Sequence, residues 1–244
     1  MNDNKTNLKQ ETPLKVGKYI NEKAVRYRCK GKTLAIVAVV TLLLVSLPFS
    51  LTHSKDILSN DIHPYAVDGS INGHEYVDLG LSVKWATCNV GAESPEDPGN
   101  YYSWGEISTK EAYIDANCTT DEKDLGDISG NPSYDAARAN WGGSWRLPTK
   151  AECQELIDNC DSEWATYQTG ELCGYKITSR KNGKSILLPT NGYHTWSLHG
   201  INDSGCYWSS TPNQTDGAFC LSFSDLGICW EFREVGIGVR PVTE

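Results

Sequence analysis

The pattern of apolar and polar positions divides the chain into an N-terminal segment and a C-terminal domain. Residues 33–51 (TLAIVAVVTLLLVSLPFSL) contain no charged side chain, and a helix of this length spans a hydrocarbon core of about 30 Å. A helix of a globular domain has a polar face, which this run lacks. The pattern therefore predicts a single transmembrane helix.

Charge on either side of the apolar run predicts its orientation. Residues 1–32 carry nine Lys and Arg against three acidic residues, a net charge of +6, whereas residues 53–244 carry thirteen against twenty-eight, a net charge of −15. Positive charge beside a span stays in the cytoplasm. We expect a cytoplasmic tail (1–32), an uncleaved signal-anchor (33–51), a stalk (52–70) and an exported domain (71–244). A cleaved signal peptide with its apolar core at 34–47 is the alternative.

Residues 71–160 predict a hairpin followed by two helices. Alternating segments at 75–79 and 83–87 flank Gly80-Leu81-Ser82, which favours a hairpin. A brief helix is expected at 133–139. Thr149 and Glu152 have the spacing of a capping box, which marks the start of a longer helix. The apolar positions that follow it recur with helical spacing: Cys153, Leu156, Ile157 and Cys160.

The last third of the domain predicts strands and turns only. Segments 175–179 and 185–188 flank Lys181-Asn182-Gly183, which is typical of a hairpin. Further strands are expected at 206–209, 219–223, 228–233 and 238–242. The predicted fold class is α+β, with short antiparallel strands and one or two helices. The acidic surface argues against nucleic acid and against anionic lipid as partners.

Five blocks of the domain carry a resemblance to a known family. They are VDLGLSVKWATCNVGAESPEDPGNYYSWGE (77–106), DAARANWGGSWRLPTKAECQELIDNC (135–160), GYKITSRKNGKSILLP (174–189), CYWSST (206–211) and GVRPV (238–242). In this order they resemble the Fibrobacter succinogenes major paralogous domain, a family common in exported proteins of Bacteroidetes. The resemblance implies a C-type-lectin-like fold akin to formylglycine-generating enzymes, in which Arg146-Leu147-Pro148-Thr149 opens a helix and Arg240 closes the sheet. This family has no well-established activity.

Nine cysteines occur in the chain, and Cys29 lies in the predicted cytoplasmic tail. The other eight lie in the predicted exported part, where disulfides are permitted. We expect Cys220 and Cys229 to face each other across a hairpin, as a disulfide or a packed pair. Both Cys88 and Cys160 lie in family blocks, and the resemblance makes them the other expected disulfide.

Catalytic and metal-binding motifs give little support to an enzyme. The copper site of formylglycine-generating enzymes uses two closely spaced cysteines, whereas Cys206, Cys220 and Cys229 lie fourteen and nine residues apart. The sequence contains neither a Cys-x-x-Cys nor a His-x-x-x-His pair of the kind that binds zinc. It also contains no hydrolase motif. The acidic segment 121–127 has the oxygen ligands that calcium prefers, but we interpret it as a solvated loop. We therefore expect no metal, no cofactor and no catalysis.

Aromatic residues are the remaining candidates for a binding site. We expect five tryptophans in the family blocks to lie in the core: Trp85, Trp104, Trp141, Trp145 and Trp208. The segment TNGYHTWSLHGINDSG lacks strand character and joins aromatic and polar side chains in a loop, where binding residues concentrate. The predicted ligand-binding residues are His194, Trp196, His199, Asn202 and Asp203.

The predicted function is a membrane-anchored, extracytoplasmic binding module for a glycan or a partner protein. One alternative is an enzyme on the same fold, either a copper or thiol oxidase or a hydrolase. The other is a structural subunit of a surface assembly. A glycan-binding module needs exposed aromatic side chains in a groove. An enzyme needs converging ionisable groups with shifted pKa values, and an assembly subunit needs a large apolar patch.

Overall fold

The structure, a computed structural model, describes residues 66–167, 172–223 and 226–244. The predicted membrane span (33–51) and cytoplasmic tail (1–32) lie outside these residues, as does most of the predicted stalk. Within the described ranges, no helix combines the length and the apolar character that crossing a membrane requires.

Short strands make up most of the regular structure. In chain order they are β1 (Gly69–Ile71), β2 (His74–Val77), β3 (Lys84–Ala86), β4 (Tyr101–Tyr102), β5 (Cys160–Tyr167), β6 (Leu172–Ser179), β7 (Ser185–Pro189), β8 (Tyr193–His194), β9 (Leu198–His199), β10 (Cys206–Asn213), β11 (Gly217–Ser222), β12 (Gly227–Phe232), β13 (Ile237–Gly238) and β14 (Val242–Thr243). The helices are α1 (Ala136–Trp141), α2 (Lys150–Asn159) and a 3-10 turn (Asp115–Asn117). The sheet-rich α+β prediction is confirmed.

A five-stranded sheet, in the order β12-β11-β10-β13-β4, separates two hydrophobic cores. Side chains alternate between the faces of a strand, so consecutive residues of β10 enter different cores. Trp208 packs with Trp104 and Trp145 in one core. Its neighbour Tyr207 packs with Leu221 in the other.

A four-stranded sheet, in the order β1-β2-β3-β14, joins the start of the described domain to its end. The predicted hairpin at 75–79 and 83–87 is confirmed as β2 and β3, with shorter strands. Strand β1 begins at Gly69, inside the predicted stalk. The strand expected at 238–242 is instead two strands in different sheets. Pro241 lies at the crossing, where its missing N–H prevents a continuous ladder.

The main helix begins where the capping box predicts. The Thr149 hydroxyl accepts from the Glu152 N–H at 3.2 Å, and the Glu152 carboxylate accepts from the Thr149 N–H at 2.8 Å. The same carboxylate forms a bidentate ion pair with Arg146 at 2.7 and 2.9 Å. Cys153 and Leu156 are buried on the inner face of α2. The helix start is therefore confirmed, and the apolar stripe is confirmed for Cys153 and Leu156. Ile157 is half-buried, and Cys160 begins β5 instead of ending the helix.

Two other elements differ from the prediction. The brief helix lies at Ala136–Trp141, three residues later than expected, because Asp135 caps its N-terminus. Strand β5 follows α2 directly and was not predicted. It pairs with β6 at the edge of the sheet β5-β6-β7, and the side chains at 161–164 are exposed, so the segment has no apolar alternation.

Five tryptophans form much of the interior, as expected from the sequence. Each is at most 8% exposed: Trp85, Trp104, Trp141, Trp145 and Trp208. Buried indole N–H groups need an acceptor. The Nε1 of Trp104 donates to the Ser209 carbonyl at 2.9 Å, and that of Trp208 donates to the Tyr102 carbonyl at 2.8 Å. These bonds fix β10 against the segment that begins with β4.

Candidate functional site

The predicted ligand-binding residues lie on and beside a small hairpin. Strands β8 and β9 pair antiparallel, with Tyr193 opposite His199 and His194 opposite Leu198. The expectation of a loop without strands is therefore wrong. We call residues 193–203 the exposed hairpin.

Backbone contacts hold the exposed hairpin to the domain. The His194 N–H donates to the Gly236 carbonyl at 2.8 Å, and the Gly236 N–H donates back at 2.9 Å. Gly192 forms a bridge with Gly205, the residue before β10, and has a φ of 59°, in the region that favours glycine. The hairpin is thus anchored at its base to the residues that immediately precede β10 and β13.

The exposed hairpin carries three large apolar side chains on its surface. Trp196 is 75% exposed, more than any other large hydrophobic side chain that the structure describes as exposed. Leu198 and Ile201 are 40% and 41% exposed on the same hairpin. Large aromatic side chains are normally mostly buried. A role in binding a ligand would explain why this indole is exposed.

The two histidines of the predicted site have different environments. His194 is half-buried, with its ring 5.0 Å from Tyr113 and 5.8 Å from Tyr101 between ring centroids. His199 is exposed and stacks on Tyr193 at 5.3 Å. The structure therefore gives His194 a supporting position and leaves His199 at the surface.

Asn202 and Asp203 lie in the turn that follows β9. Both side chains are exposed. Asn202 has a φ of 77°, and the Asp203 N–H closes the turn by donating to the Gly200 carbonyl at 3.1 Å. Four of the five predicted residues thus present side chains to solvent on one continuous stretch of chain.

The acidic segment 121–127 is held from the interior by a buried arginine. Arg233 is fully buried and donates to four main-chain carbonyls, those of Thr120, Lys123, Gln214 and Gly217. The Arg233 guanidinium also lies 4.3 Å from the Trp104 ring centroid. These contacts order the backbone of the segment, while the Asp124 side chain stays exposed.

Three cysteines form a cluster on neighbouring strands. The cluster contains Cys206, Cys220 and Cys229, whose sulfur atoms all lie within 4.8 Å of one another. Among the described residues, this is the group of potential metal ligands that lie so close together. The Cys220 Sγ lies 3.0 Å from the Cys206 Sγ and 3.0 Å from the Cys229 Sγ. We call these three residues the cysteine cluster. Sequence reasoning paired Cys220 with Cys229 and set Cys206 aside with the rejected copper site, because the spacing of the three residues did not show that they meet.

The strand register explains the cysteine cluster. Cys220 lies directly opposite Cys229 between β11 and β12, as predicted. Cys206 on β10 lies opposite Ser222, two residues along from Cys220, so its side chain emerges on the same face. The face also carries Glu231, two residues beyond Cys229.

Ionisation within the cysteine cluster is unevenly distributed. Hydrogen bonds with Cys206 and Cys220 hold the pKa of Cys229 well below its ordinary value. Hydrogen bonding to its two neighbours, together with burial, raises the pKa of Cys220. Burial, and then the charge of Cys229, raises the pKa of Glu231 to about 7. The shifts have opposite directions because the three sulfurs share hydrogen bonds, so their proton equilibria belong to the cluster as a whole.

The predicted disulfides are not formed in the structure. Cys88 and Cys160 are both free thiols, as are Cys220 and Cys229 and the other cysteines whose side chains are described. The 3.0 Å sulfur separation between Cys220 and Cys229 is longer than a disulfide bond of about 2.05 Å.

A cavity of about 200 Å³ lies away from both features, between α2 and strands β5, β6 and β11. Most of its lining side chains are apolar: Leu156, Ile157, Cys160, Ser162, Ile177, Leu221 and Leu226. The exposed hairpin, in contrast, is a projecting surface. Comparisons with protein-family models, with curated proteins and with solved structures found no match to this chain.

Proposed function

We propose that this protein is a binding module whose contact surface is the exposed hairpin. The observation that carries the proposal is the 75% exposure of Trp196 on a hairpin whose base is fixed to the sheet. An aromatic side chain buries about 150–250 Å² when covered. At about 25 cal/mol per Å², covering all of the exposed part of this indole contributes at most about 3–5 kcal/mol to binding, and a ligand that covers part of it gains less.

The support beneath the hairpin favours binding because it lowers the cost of ordering the contact surface. The paired hydrogen bonds between His194 and Gly236 and the rings of Tyr101 and Tyr113 around His194 restrict the hairpin before a ligand arrives. A pre-organised surface loses less conformational entropy on binding than a flexible loop.

A glycan is the ligand class that we propose first. The flat face of an indole stacks on a sugar ring, and the exposed polar side chains beside it offer hydrogen-bond partners for hydroxyl groups. Those side chains are Ser197, His199, Asn202 and Asp203. The second candidate is a partner protein, which the exposure of Leu198 and Ile201 favours.

The sequence patterns extend this proposal to the whole protein. We propose that the chain belongs to the Fibrobacter succinogenes major paralogous domain family and that its domain has a C-type-lectin-like arrangement. The five family blocks within 71–244 support this assignment. The apolar segment 33–51 and the charge asymmetry around it support a single-pass protein of the cell envelope with the domain outside the cytoplasm.

A glycan-array screen of the full-length protein in detergent tests the proposal, with Trp196→Ala as the variant. We expect Trp196→Ala to bind the glycan about 30-fold more weakly than the wild type does, which corresponds to a loss of about 2 kcal/mol of binding free energy. Trp164→Ala is the matched control, because Trp164 is also exposed, at 41%, but lies on β5. A glycan bound equally well by Trp196→Ala would remove the hairpin as the site. Turnover of a bound glycan would replace the binding function with an enzymatic one.

A further inference from the structure

The cysteine cluster brings three sulfur atoms to one face of the five-stranded sheet. One cysteine comes from each of three adjacent strands, β10, β11 and β12. Cys220 is fully buried, whereas Cys206 and Cys229 are half-buried. As potential ligands, Cys206 and Cys220 are buried and Cys229 is the partly accessible one, so the cluster is supported by the sheet and is reached through Cys229.

We propose that Cys206, Cys220 and Cys229 form a binding site for a soft divalent cation, with Zn²⁺ as its representative, in which the three sulfurs are thiolate ligands. A Zn–S bond of about 2.3 Å with tetrahedral angles places the sulfurs about 3.8 Å apart. The Cys220 Sγ lies 3.0 Å from each of the other two sulfurs, closer than that value, and all three lie within 4.8 Å of one another. Small side-chain rotations bring all three atoms to a common centre.

The number of thiols distinguishes a metal site from a disulfide. A disulfide joins two sulfurs and leaves the third beside it with only a weak hydrogen bond. A cation engages all three at once. Because the sulfurs already lie within 4.8 Å of one another on strands fixed by their ladders, binding requires little rearrangement of the backbone.

Charge favours a divalent cation over a monovalent one. Three thiolates carry a charge of −3, and the Glu231 carboxylate follows on the same face of β12. A divalent cation leaves a smaller net negative charge in this partly buried place than a monovalent cation does, and unpaired buried charge is costly. On binding, the thiols release their remaining protons to solvent as three metal–sulfur bonds form.

The coordination sphere has room for one further ligand. Zinc sites are almost always four-coordinate, and the described group of close ligand atoms contains the three sulfurs only. Cys229 is partly accessible, so a water molecule can fill the fourth position from its side. The site thus has the three-ligand form of an open zinc centre.

Zinc uptake by the reduced full-length protein tests this proposal without any substitution. Wild-type protein is mixed with Zn²⁺, its metal content is measured, and its thiols are then alkylated and identified by peptide mass spectrometry. We expect one Zn²⁺ per chain and protection of the three cluster thiols. Absence of zinc uptake, or a disulfide between two cluster cysteines in the protein as isolated, would overturn the proposal.

Single substitutions assign the ligands. Cys206→Ser and Cys229→Ser each replace a half-buried ligand, and we expect each to weaken zinc binding more than about 100-fold, since loss of an outer-shell partner alone costs about 10- to 100-fold. Cys118→Ser is the matched control, as Cys118 is half-buried and bonds to Thr120 outside the cluster. Equal affinity in the cluster variants and the control would refute the assignment. Stoichiometric uptake of Cu⁺ with no uptake of Zn²⁺ would refute a divalent cation.

Discussion

Replacement of Asp135 by alanine removes an acceptor on which three parts of the domain depend. Its side chain is fully buried. One carboxylate oxygen accepts from the Gly130 and Leu147 N–H groups at 2.7 and 2.8 Å, and the other accepts from the Arg138 N–H at 3.0 Å. The residue therefore caps α1 and ties the preceding loop to the segment that leads into α2.

The magnitude follows from the number of donors left without an acceptor. A buried N–H that loses its partner costs about 1–3 kcal/mol. With three donors and partial relaxation, we expect Asp135→Ala to lower the free energy of unfolding by about 3–5 kcal/mol. Asp135→Asn keeps the volume, and its amide oxygen can serve Gly130 and Leu147, so we expect a loss of about 2 kcal/mol.

Denaturant unfolding of wild type and both variants measures these losses. Asp158→Ala is the control, because Asp158 is exposed on α2 and we expect its loss to stay within about 0.5 kcal/mol. A loss below about 1 kcal/mol for Asp135→Ala, or one equal to that of the control, would refute the reasoning.

The pH dependence gives a second readout of the same residue. Burial raises the pKa of Asp135 above its ordinary value of 3.8, although its backbone donors oppose this shift. The folded protein then binds this proton more tightly than the unfolded chain does. The corresponding stability is present below the unfolded pKa and is lost as the pH rises through the folded pKa. As the pH rises above about 4, we expect the wild type to lose this part of its free energy of unfolding and Asp135→Asn to show no such loss.

Three further predictions concern the helix, the hairpin and the topology. Thr149→Ala should lower the free energy of unfolding by about 1 kcal/mol in denaturant titration, through loss of the cap. Gly192→Ala places a Cβ 2.0 Å from the His199 carbonyl oxygen and should abolish ligand binding in the array screen, whereas Gly183→Ala, with open space around it, should bind normally. Protease added to spheroplasts should digest the domain that follows 33–51 and spare the N-terminal tail, and the reverse pattern would contradict the topology.

Elements whose ends are set by a few neighbouring residues could be predicted from the sequence. The capping box fixes the start of α2 at Thr149, and Lys181-Asn182-Gly183 fixes the hairpin of β6 and β7. Strand β5 was missed because an exposed edge strand needs no apolar alternation. Strands β8 and β9 were missed because two residues each are too few for a period to show.

The candidate sites depend on tertiary relations that a sequence pattern does not contain. The exposure of Trp196 follows from how Gly192 and Gly236 fix the base of the hairpin. The pairing of Cys220 with Cys229 could be predicted from one hairpin. The position of Cys206 depends on the register between β10 and β11, where a bulge lies between Trp208 and Pro212.

The pairing of β3 with β14 has a consequence for the order in which the domain folds. Trp85 pairs with Val242 and Lys84 with Thr243, so one edge of β3 stays open until the last strand is available. A chain that emerges N-terminus first, from a ribosome or an export channel, cannot complete this sheet until residue 243 has emerged. Contacts of such long sequence separation slow folding. All three cluster cysteines emerge before residue 243. Their thiols can therefore react with a metal ion or an oxidant before the last strand completes the sheet.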